Sequence, residues 1–551
     1  MVEMIPKING EERREEGRFV LPEGEVRVFG AVAYVTVLED RLAKIGLRRK
    51  WNYVEWKERE TAAVCFNMLP KEKPEADFAK VEGAYVLYIT PEQVKVTSHD
   101  PEGLTNGLTT LYWMLREGGG ACGCGTFTDA PACGYRGILI DSSRHFFDVE
   151  TIKGMIEQCS LRKLNRLHWH LSDDQGYRLE SLRFPRLNEV GSWRKEPDGS
   201  TYGGFYTKAE VRDIVSYAGA RGMQIIPEID VPGHVGAILA AYPRLSCSKE
   251  EMEVKNMPGI HEHILCAGDD LTLQCVNILL DEAMELFPYP WFHVGGDEAP
   301  KSEWKKCPAC QERIRAEGLK DEEELQAWFI KKVVEHLQEK GRTAICWNEC
   351  MKSGMLDSRA VVQYWDEEED AGYCRELAEG DRKCIYSYTP AFYFDYEPML
   401  TPMRRMRNWK PVLRDGSQVA AKNLLGVEAA FWSERIEDRE RLEKLAFPRL
   451  FAVAEAAWNG LADYGEFVER CAKHMRALDE DGVRHYSMDE VDLEGEAQKE
   501  AIIKEWKPMV DQARAAGMGH FLDVIGRLVR NKLEGVMDEA MIEEMIEEIR
   551  S

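Results

Sequence analysis

The sequence predicts an α/β fold. A (β/α)8 TIM barrel is expected over residues 131–462, with a small α+β domain at 1–130 before it and a helical region at 463–551 after it. Three observations carry this expectation. From Gly134 onward, short runs that are apolar on both faces alternate with amphipathic segments of helical spacing. Strands buried on both sides and separated by helices are what a parallel sheet wrapped by helices requires. Second, the polar and aromatic residues that interrupt the apolar runs gather at one end of them: Asp141 and Arg144, His170 and Asp173, Glu228 and Asp230, Asp297 and Glu298, Trp347 and Glu349, Trp365, and Trp432 with Glu434. In a barrel those C-terminal strand ends form a single mouth. Third, both flanking regions follow a different rhythm.

The first region is β-rich. Val26, Val28, Val32 and Tyr34 share the even positions of Glu25 to Leu38, as one strand face would. Ala62 to Leu69 and Ala84 to Ile89 are short apolar runs, and Gln93 to Thr97 alternates like a hairpin partner. Leu104, Leu108, Leu111 and Leu115 recur at helical spacing. The glycines between Gly118 and Gly125 predict a flexible boundary. Barrel strands are expected at Gly137 to Ser142, Arg166 to Leu171, Met223 to Ile229, the run from Trp291 to Gly295, Thr343 to Trp347, Val361 to Trp365, Lys383 to Tyr386 and Leu425 to Trp432. Helices are expected between them, with a last one from Arg439 to Trp458. Beyond residue 465, charges alternate with Met, Ile, Val and Leu, as in Ile502 to Ala515 and Met537 to Ile549; amphipathic helices fit, with no chemistry attached.

Composition narrows the partners. The 551 residues carry a formal net charge of −25 and are 44% hydrophobic. A chain this acidic offers no basic face for nucleic acid or an anionic membrane. No apolar run is long enough to span a bilayer. The first 17 residues lack the apolar core of a secretory leader, so a cytoplasmic protein is expected, as a monomer or homodimer. Fifteen cysteines, an odd number scattered through strands and helices, do not form a disulfide framework. Cys122 with Cys124, and Cys307 with Cys310, are local pairs without a partner pair at zinc-finger spacing. Free thiols are therefore expected or, for Cys307 and Cys310, an occasional local link, and no motif in the sequence calls for a cofactor.

The chemistry centres on Trp291-Phe-His-Val-Gly-Gly-Asp-Glu-Ala-Pro300. An apolar strand ends in two glycines and delivers Asp297 and Glu298 to the mouth. Adjacent acids in a partly desolvated place do not ionise equally, so one holds a proton while the other stays charged. Most glycosidases place two carboxylates on opposite sides of the sugar, which neighbours in sequence do poorly. A substrate that brings its own nucleophile, a 2-acetamido oxygen, avoids the problem. One acid then protonates the leaving group, and the other orients the acetamide and stabilises the oxazolinium. Trp347, Trp365 and Trp432 end three strands and Tyr393 follows the seventh, as walls for a sugar and an acetamide methyl. Arg144 offers a planar fork for two hydroxyls. Asp395 and Glu434 offer acceptors for others.

Five segments carry a family resemblance: Gly137-Ile-Leu-Ile-Asp-Ser-Ser-Arg-His-Phe-Phe147, Leu167-His-Trp-His-Leu-Ser-Asp-Asp-Gln-Gly176, Pro227-Glu-Ile-Asp-Val-Pro-Gly-His234, His293-Val-Gly-Gly-Asp-Glu298 and Gly426-Val-Glu-Ala-Ala-Phe-Trp-Ser-Glu434. In order and spacing they resemble the motifs of family 20 glycoside hydrolases, the β-N-acetylhexosaminidases, across roughly residues 15 to 460. The resemblance implies an exo-acting, retaining enzyme that takes terminal β-linked GlcNAc, or GalNAc, from an amino-sugar oligosaccharide or glycoconjugate without a metal. It implies Glu298 as general acid and base, Asp297 as partner of the acetamide nitrogen, and Tyr393 as donor to the acetamide oxygen. Trp347, Trp365 and Trp432 would enclose the sugar. Arg144, Asp395 and Glu434 would bind its outer hydroxyls, and Asp173 with His234 would support Glu298. The sequence departs from the family pattern at Tyr177, Cys346, Asn348, Asp366 and Glu367, which bears on the leaving-group side. Three alternatives stand beside this reading. One is a metal-dependent hydrolase using His168, His170, His234, Asp297 and Glu298 as ligands; the second is a non-enzymatic sugar-binding barrel; the third is a family member that releases a disaccharide.

Overall fold

The computed structural model describes residues 3–69, 81–365, 372–515 and 518–550. Among these, seven strands form the first sheet: β1 (Glu12–Val20), β2 (Glu25–Phe29), β3 (Lys50–Tyr53), β4 (Val64–Met68), β5 (Tyr85–Ile89), β6 (Val94–Ser98) and β7 (Ala121–Asp129), in the order β1-β7-β5-β6-β4-β2-β3. Two expectations fail here. Val32 and Tyr34 do not continue the strand of Val26 and Val28, because Val32–Lys44 is a helix. The chain turns at Gly30, at φ +146°, and Val35, Leu38 and Leu42 then recur at helical spacing and are buried. The glycine-rich stretch after Gly118 is likewise no flexible boundary, since β7 pairs with both β1 and β5. Gly125 serves close approach: a Cβ there would lie 2.4 Å from the Arg13 carbonyl oxygen, beside a shift in the β1–β7 register.

The two helices of this region, Val32–Lys44 and Pro101–Glu117, pack on each other and lie against the next body of the chain. Buried ion pairs fasten the two parts. Arg41 meets Glu157 at 2.9 Å, and Lys163 meets Asp129 at 2.8 Å.

Eight parallel strands then close a barrel among the described residues: β8 (Tyr135–Asp141), β9 (Arg166–His170), β10 (Gln224–Glu228), β11 (Trp291–His293), β12 (Thr343–Trp347), β13 (Val361–Tyr364), β14 (Cys384–Tyr386) and β15 (Leu424–Phe431). Closure is made by β15 on β8, from Gly426 opposite Tyr135 to Phe431 opposite Ile140. The interior is layered. Tyr135, Ile226, Ile345, Val361 and Ile385 plug the N-terminal end. Above them sits a polar layer of His168, Glu228, His293, Gln363 and Glu428, all buried. Leu139, Trp347, Tyr393 and Ala430 cap it toward the C-terminal mouth. Filling the bore in tiers is how a barrel of this size becomes a core rather than a channel.

The expected helix from Arg439 to Trp458 is two, Arg439–Ala446 and Arg449–Asn459, parted at Phe447-Pro448. Proline has no N–H to continue the first helix. Further on, the helices Gly495–Ala515, Gly519–Leu533 and Glu539–Arg550 bury Ile502, Trp506, Val529, Leu533 and Met545 against one another and against Leu400. That packing seats Gly519–Leu533 on the loop after β14, beside the barrel mouth. No helix of the described residues is long and apolar enough to cross a membrane.

Candidate active site

The loop after β11 is shaped by its glycines. Gly295 and Gly296 sit at φ +65° and +97°, and a Cβ on Gly295 would fall 1.7 Å from Asp230 Oδ1. The glycine lets the backbone pass the Asp230 carboxyl, which accepts a 2.9 Å hydrogen bond from the Gly296 N–H. The turn presents two unlike acids. The Asp297 side chain is 13% exposed and the Glu298 side chain 35%. Burial lifts the Asp297 pKa to about 6, against the pull of His234 and with the push of Glu298. Asp230, deeper still and facing Asp297, is raised well above the carboxylate range by burial and by the charge of Asp297, both of which favour its neutral form. Asp297 Oδ1 is buried and has no hydrogen-bond partner among the described residues.

Glu298 stands in the left-handed region at φ +41°, as does His234 at φ +52°. Non-glycine residues rarely adopt this backbone conformation and need surrounding structure to hold them there. Here it brings the two side chains together: His234 Nε2 lies 3.4 Å from Glu298 Oε2 and 3.9 Å from Asp297 Oδ2. On its other side His234 Nδ1 is 3.2 Å from Asp173 Oδ1. Asp173, His234 and Glu298, grouped together from the sequence, therefore lie in one chain of contacts. Burial opposes charge on His234, but Asp173 and the other carboxylates around it raise its pKa well above the usual value, so it is an imidazolium.

Behind this chain lies a network that the motif residues build. Asp173 Oδ2 is 2.7 Å from Arg144 Nη2 and 2.8 Å from His170 Nε2. Arg144 Nη1 also reaches Asp141 Oδ2 at 3.3 Å, and its guanidinium lies 5.0 Å from the centre of the Trp432 ring. His170 bonds Glu228 through Nδ1. Glu228 accepts from Trp347 Nε1 at 3.0 Å and lies 2.9 Å from His293 Nδ1. Burial works against charge on His168 and His170, yet Glu428, Glu228 and Asp173 outweigh it and lift their pKa values to about 9 and about 10. His168 and His170 thus act as buried cations that tie the barrel strands together, and their ring nitrogens are already engaged with carboxylates.

The three tryptophans and Tyr393 converge as expected. Ring centres are 5.9 Å apart for Trp347 and Trp432, 6.2 Å for Trp365 and Tyr393, and 6.3 Å for Tyr393 and Trp432. Trp365 is held by its Nε1 donating to Glu349 at 2.9 Å and by its backbone N–H donating to Asn348 at 2.9 Å. Asp395 is buried nearby; burial lifts its pKa to about 6, with Lys532 and Arg435 opposing. Its Oδ1 too has no partner among the described residues. Glu434 is exposed at the rim and accepts from the Gly259 N–H at 3.2 Å.

Some positions fall elsewhere. Tyr177 and Cys346 are buried in the main core rather than beside the leaving group, which corrects the inference drawn from them. Asn348 acts through Trp365. Asp366 and Glu367 lie outside the described residues. Other groups had no role assigned from the sequence. Asp230 stands inside a quoted motif, so the signal was there, and His170, named only as a ligand in the metal-dependent alternative, is instead a buried partner of Glu228 and Asp173. Lys532 and Leu528 had no such signal. The helix Gly519–Leu533 sets Lys532 Nζ 4.1 Å from the Tyr396 ring centre and 5.5 Å from that of Tyr393, and Nζ donates to the Thr389 carbonyl at 2.7 Å. Leu528 lines a cleft beside Glu298 with Ile260, Lys352, Trp365 and Tyr396.

Comparison with known proteins agrees with this geometry. Residues 133–461 match the model of the glycosyl hydrolase family 20 catalytic domain. The chain is 40% identical over 374 residues, 65% of its length, to a beta-hexosaminidase of Porphyromonas gingivalis, of which the match spans about half, 47%. It is 32% identical over 413 residues to a beta-hexosaminidase of Akkermansia muciniphila, covering 72% of this chain and 83% of that one. Among solved structures it resembles the exo beta-N-acetylglucosaminidase of Vibrio harveyi in complex with N-acetylglucosamine, with a TM-score of 0.76 and 27% identity over 88% of this chain and 78% of that one.

Proposed function

The chain belongs to glycosyl hydrolase family 20, and on that premise we propose that it is an exo-acting, retaining β-N-acetylhexosaminidase. Its substrate is a terminal β-linked GlcNAc, or GalNAc, and the acetamide of that sugar is the nucleophile. The observation that carries the reading is the pair of unlike acids at one strand end, with the Asp297 side chain largely covered and its charge felt at Tyr393, and Glu298 facing the cleft.

In this mechanism Glu298 donates its proton to the glycosidic oxygen as the bond to the anomeric carbon breaks. The acetamide oxygen attacks the same carbon from the opposite face and closes an oxazolinium ring. The Asp297 carboxylate accepts a hydrogen bond from the acetamide N–H and balances the positive charge of the ring, in a place too dry for water to do so. Tyr393 donates its O–H to the acetamide oxygen and aligns it. Glu298, now a carboxylate, takes a proton from the water that opens the ring. Two inversions leave the β-anomer. His234, held by Asp173, orients Glu298. Arg144, Asp395 and Glu434 bind the outer hydroxyls and close the site behind a single sugar, which favours exo action over release of a disaccharide. The cleft that includes Ile260 and Leu528 receives the leaving group.

The acid role has a direct test. Glu298→Gln should slow hydrolysis of an alkyl β-GlcNAc by about 10²–10⁴-fold, and should slow a nitrophenyl β-GlcNAc less in the first step, because that leaving group needs little protonation. Equal losses on both substrates, or near-full activity on either, would remove Glu298 from the role.

A further inference from the structure

Four cysteines outside the active site converge on one point. Cys247 lies in the loop after β10, Cys266 lies further along the same loop, and Cys307 and Cys310 bracket the start of the helix Pro308–Glu317. Sγ–Sγ distances are 3.7 Å for Cys247–Cys310, 3.7 Å for Cys266–Cys310 and 3.8 Å for Cys266–Cys307. All four sulfurs lie within 4.8 Å of one another. Cys266, Cys307 and Cys310 are buried, and Cys247 is partly buried.

We propose that Cys247, Cys266, Cys307 and Cys310 hold one zinc ion as a tetrahedral four-thiolate structural site. Zn–S bonds of about 2.3 Å at tetrahedral angles put the sulfurs about 3.8 Å apart, and the three short pairs match that spacing. An iron–sulfur cluster needs its ligands spread wider than a single ion does. A disulfide would need a sulfur pair at about 2.0 Å, and every cysteine of the described chain is free. A set of sulfur ligands alone selects a soft or borderline ion, and a tetrahedral arrangement of them selects zinc among the common ones.

The backbone around the sulfurs is built for the convergence. Ser246 and Leu265 pair in a short antiparallel bridge, and the Cys266 N–H donates to the Leu245 carbonyl at 2.8 Å, so Cys247 and Cys266 sit on neighbouring strands of one loop. Gly268 packs on the turn between the other two ligands. A Cβ there would lie 2.1 Å from the Ala309 carbonyl carbon and 2.3 Å from the Cys310 nitrogen. Trp304 is fully buried alongside and donates from Nε1 to the Leu265 carbonyl at 2.8 Å.

The four ligands come from the loops that follow β10 and β11. Those same loops carry His234, and Asp297 with Glu298. One ion therefore clips together the two segments whose contact places His234 against the acids. It takes no part in the chemistry. All four thiols lose their protons to the solvent on binding, so zinc is released as the solution is acidified.

The test is elemental analysis of the untagged wild-type protein after dialysis, together with titration by an organomercurial in the presence of a zinc-responsive dye. The expected result is about one zinc per chain, released in step with modification of four thiols. Cys310→Ser and Cys247→Ser should each lower the zinc content at least tenfold and lower the melting temperature. Cys275→Ser, at a half-buried cysteine outside the cluster, should leave the zinc content unchanged. Cobalt taken up in place of zinc should show the intense visible bands of a tetrahedral thiolate complex. Wild-type protein without zinc, with iron in its place, or with a disulfide among these four residues would overturn the proposal. So would full zinc content in both serine variants. None of these readings depends on which sugar the enzyme cleaves.

Discussion

At the scale of single residues, the site divides one chemical type into opposite roles by depth. Asp230 is deepest, with its pKa raised well above the carboxylate range, Asp297 is largely covered with its pKa lifted to about 6, and Glu298 reaches the cleft. A raised carboxyl pKa costs the fold stability once the group ionises. The unfolded chain gives up this proton near pH 4 and the native protein near pH 6, so stability relative to a neutral side chain falls across that window as pH rises. Asp297→Asn removes the cost and keeps the shape. We expect the variant to melt higher than wild type at about pH 8, with the gap shrinking toward about pH 5, while kcat falls by about 10²–10³-fold because the oxazolinium loses its counter-charge. Calorimetry at the two pH values checks the first part. A variant less stable than wild type at both would contradict the account of Asp297 as a strained, functional charge.

At the scale of elements, the helix Gly519–Leu533 is the part that sequence reading could not place. The alternation of charged and apolar residues beyond residue 465 announced helices in general without marking this one, whose Val529 and Leu533 are buried against its neighbours. Nothing in its own sequence told that Lys532 would lie over Tyr393 and Tyr396, since that depends on how three helices stack on the loop after β14. Lys532 is the first charge to oppose burial at Asp395. Lys532→Met should therefore raise the Asp395 pKa, shift the acid limb of kcat/KM to higher pH and raise KM more than it lowers kcat. Lys532→Arg should restore much of the profile. An unshifted limb in Lys532→Met would reduce this residue to packing. The loops after β10 and β11 show the opposite case. Their acids and His234 were legible because strand-end polarity repeats along a barrel, whereas the partners of Cys307 and Cys310 lie about 40 to 60 residues upstream at no regular spacing, and only the folded loops bring them together.

At the scale of the whole molecule, the barrel was legible for a physical reason. Strands covered on both faces leave an apolar run that polar residues can interrupt only where the strand meets the mouth, so pattern and site announce each other. The first region lacked that redundancy. Its sheet is half-covered, alternation is weaker, and Val32 and Tyr34 fitted a strand period by chance across Gly30. Gly123 and Gly125 read as looseness because a single sequence does not say whether a glycine frees a backbone or lets another one approach. The interior polar layer, Glu228 and Glu428 with their histidines, was visible as residues but not as a network, because its members come from strands far apart in sequence.

The central claim is that the substrate's acetamide is the nucleophile. Hydrolysis of three aryl glycosides, β-GlcNAc, β-GalNAc and β-glucose, each with and without brief exposure to EDTA, tests it most directly. Cleavage confined to the two N-acetyl sugars, with the β-anomer released first and no loss on chelation, is the predicted result. Comparable cleavage of the plain glucoside, or prompt loss of turnover with EDTA, would contradict it and require another role for Asp297 and Glu298.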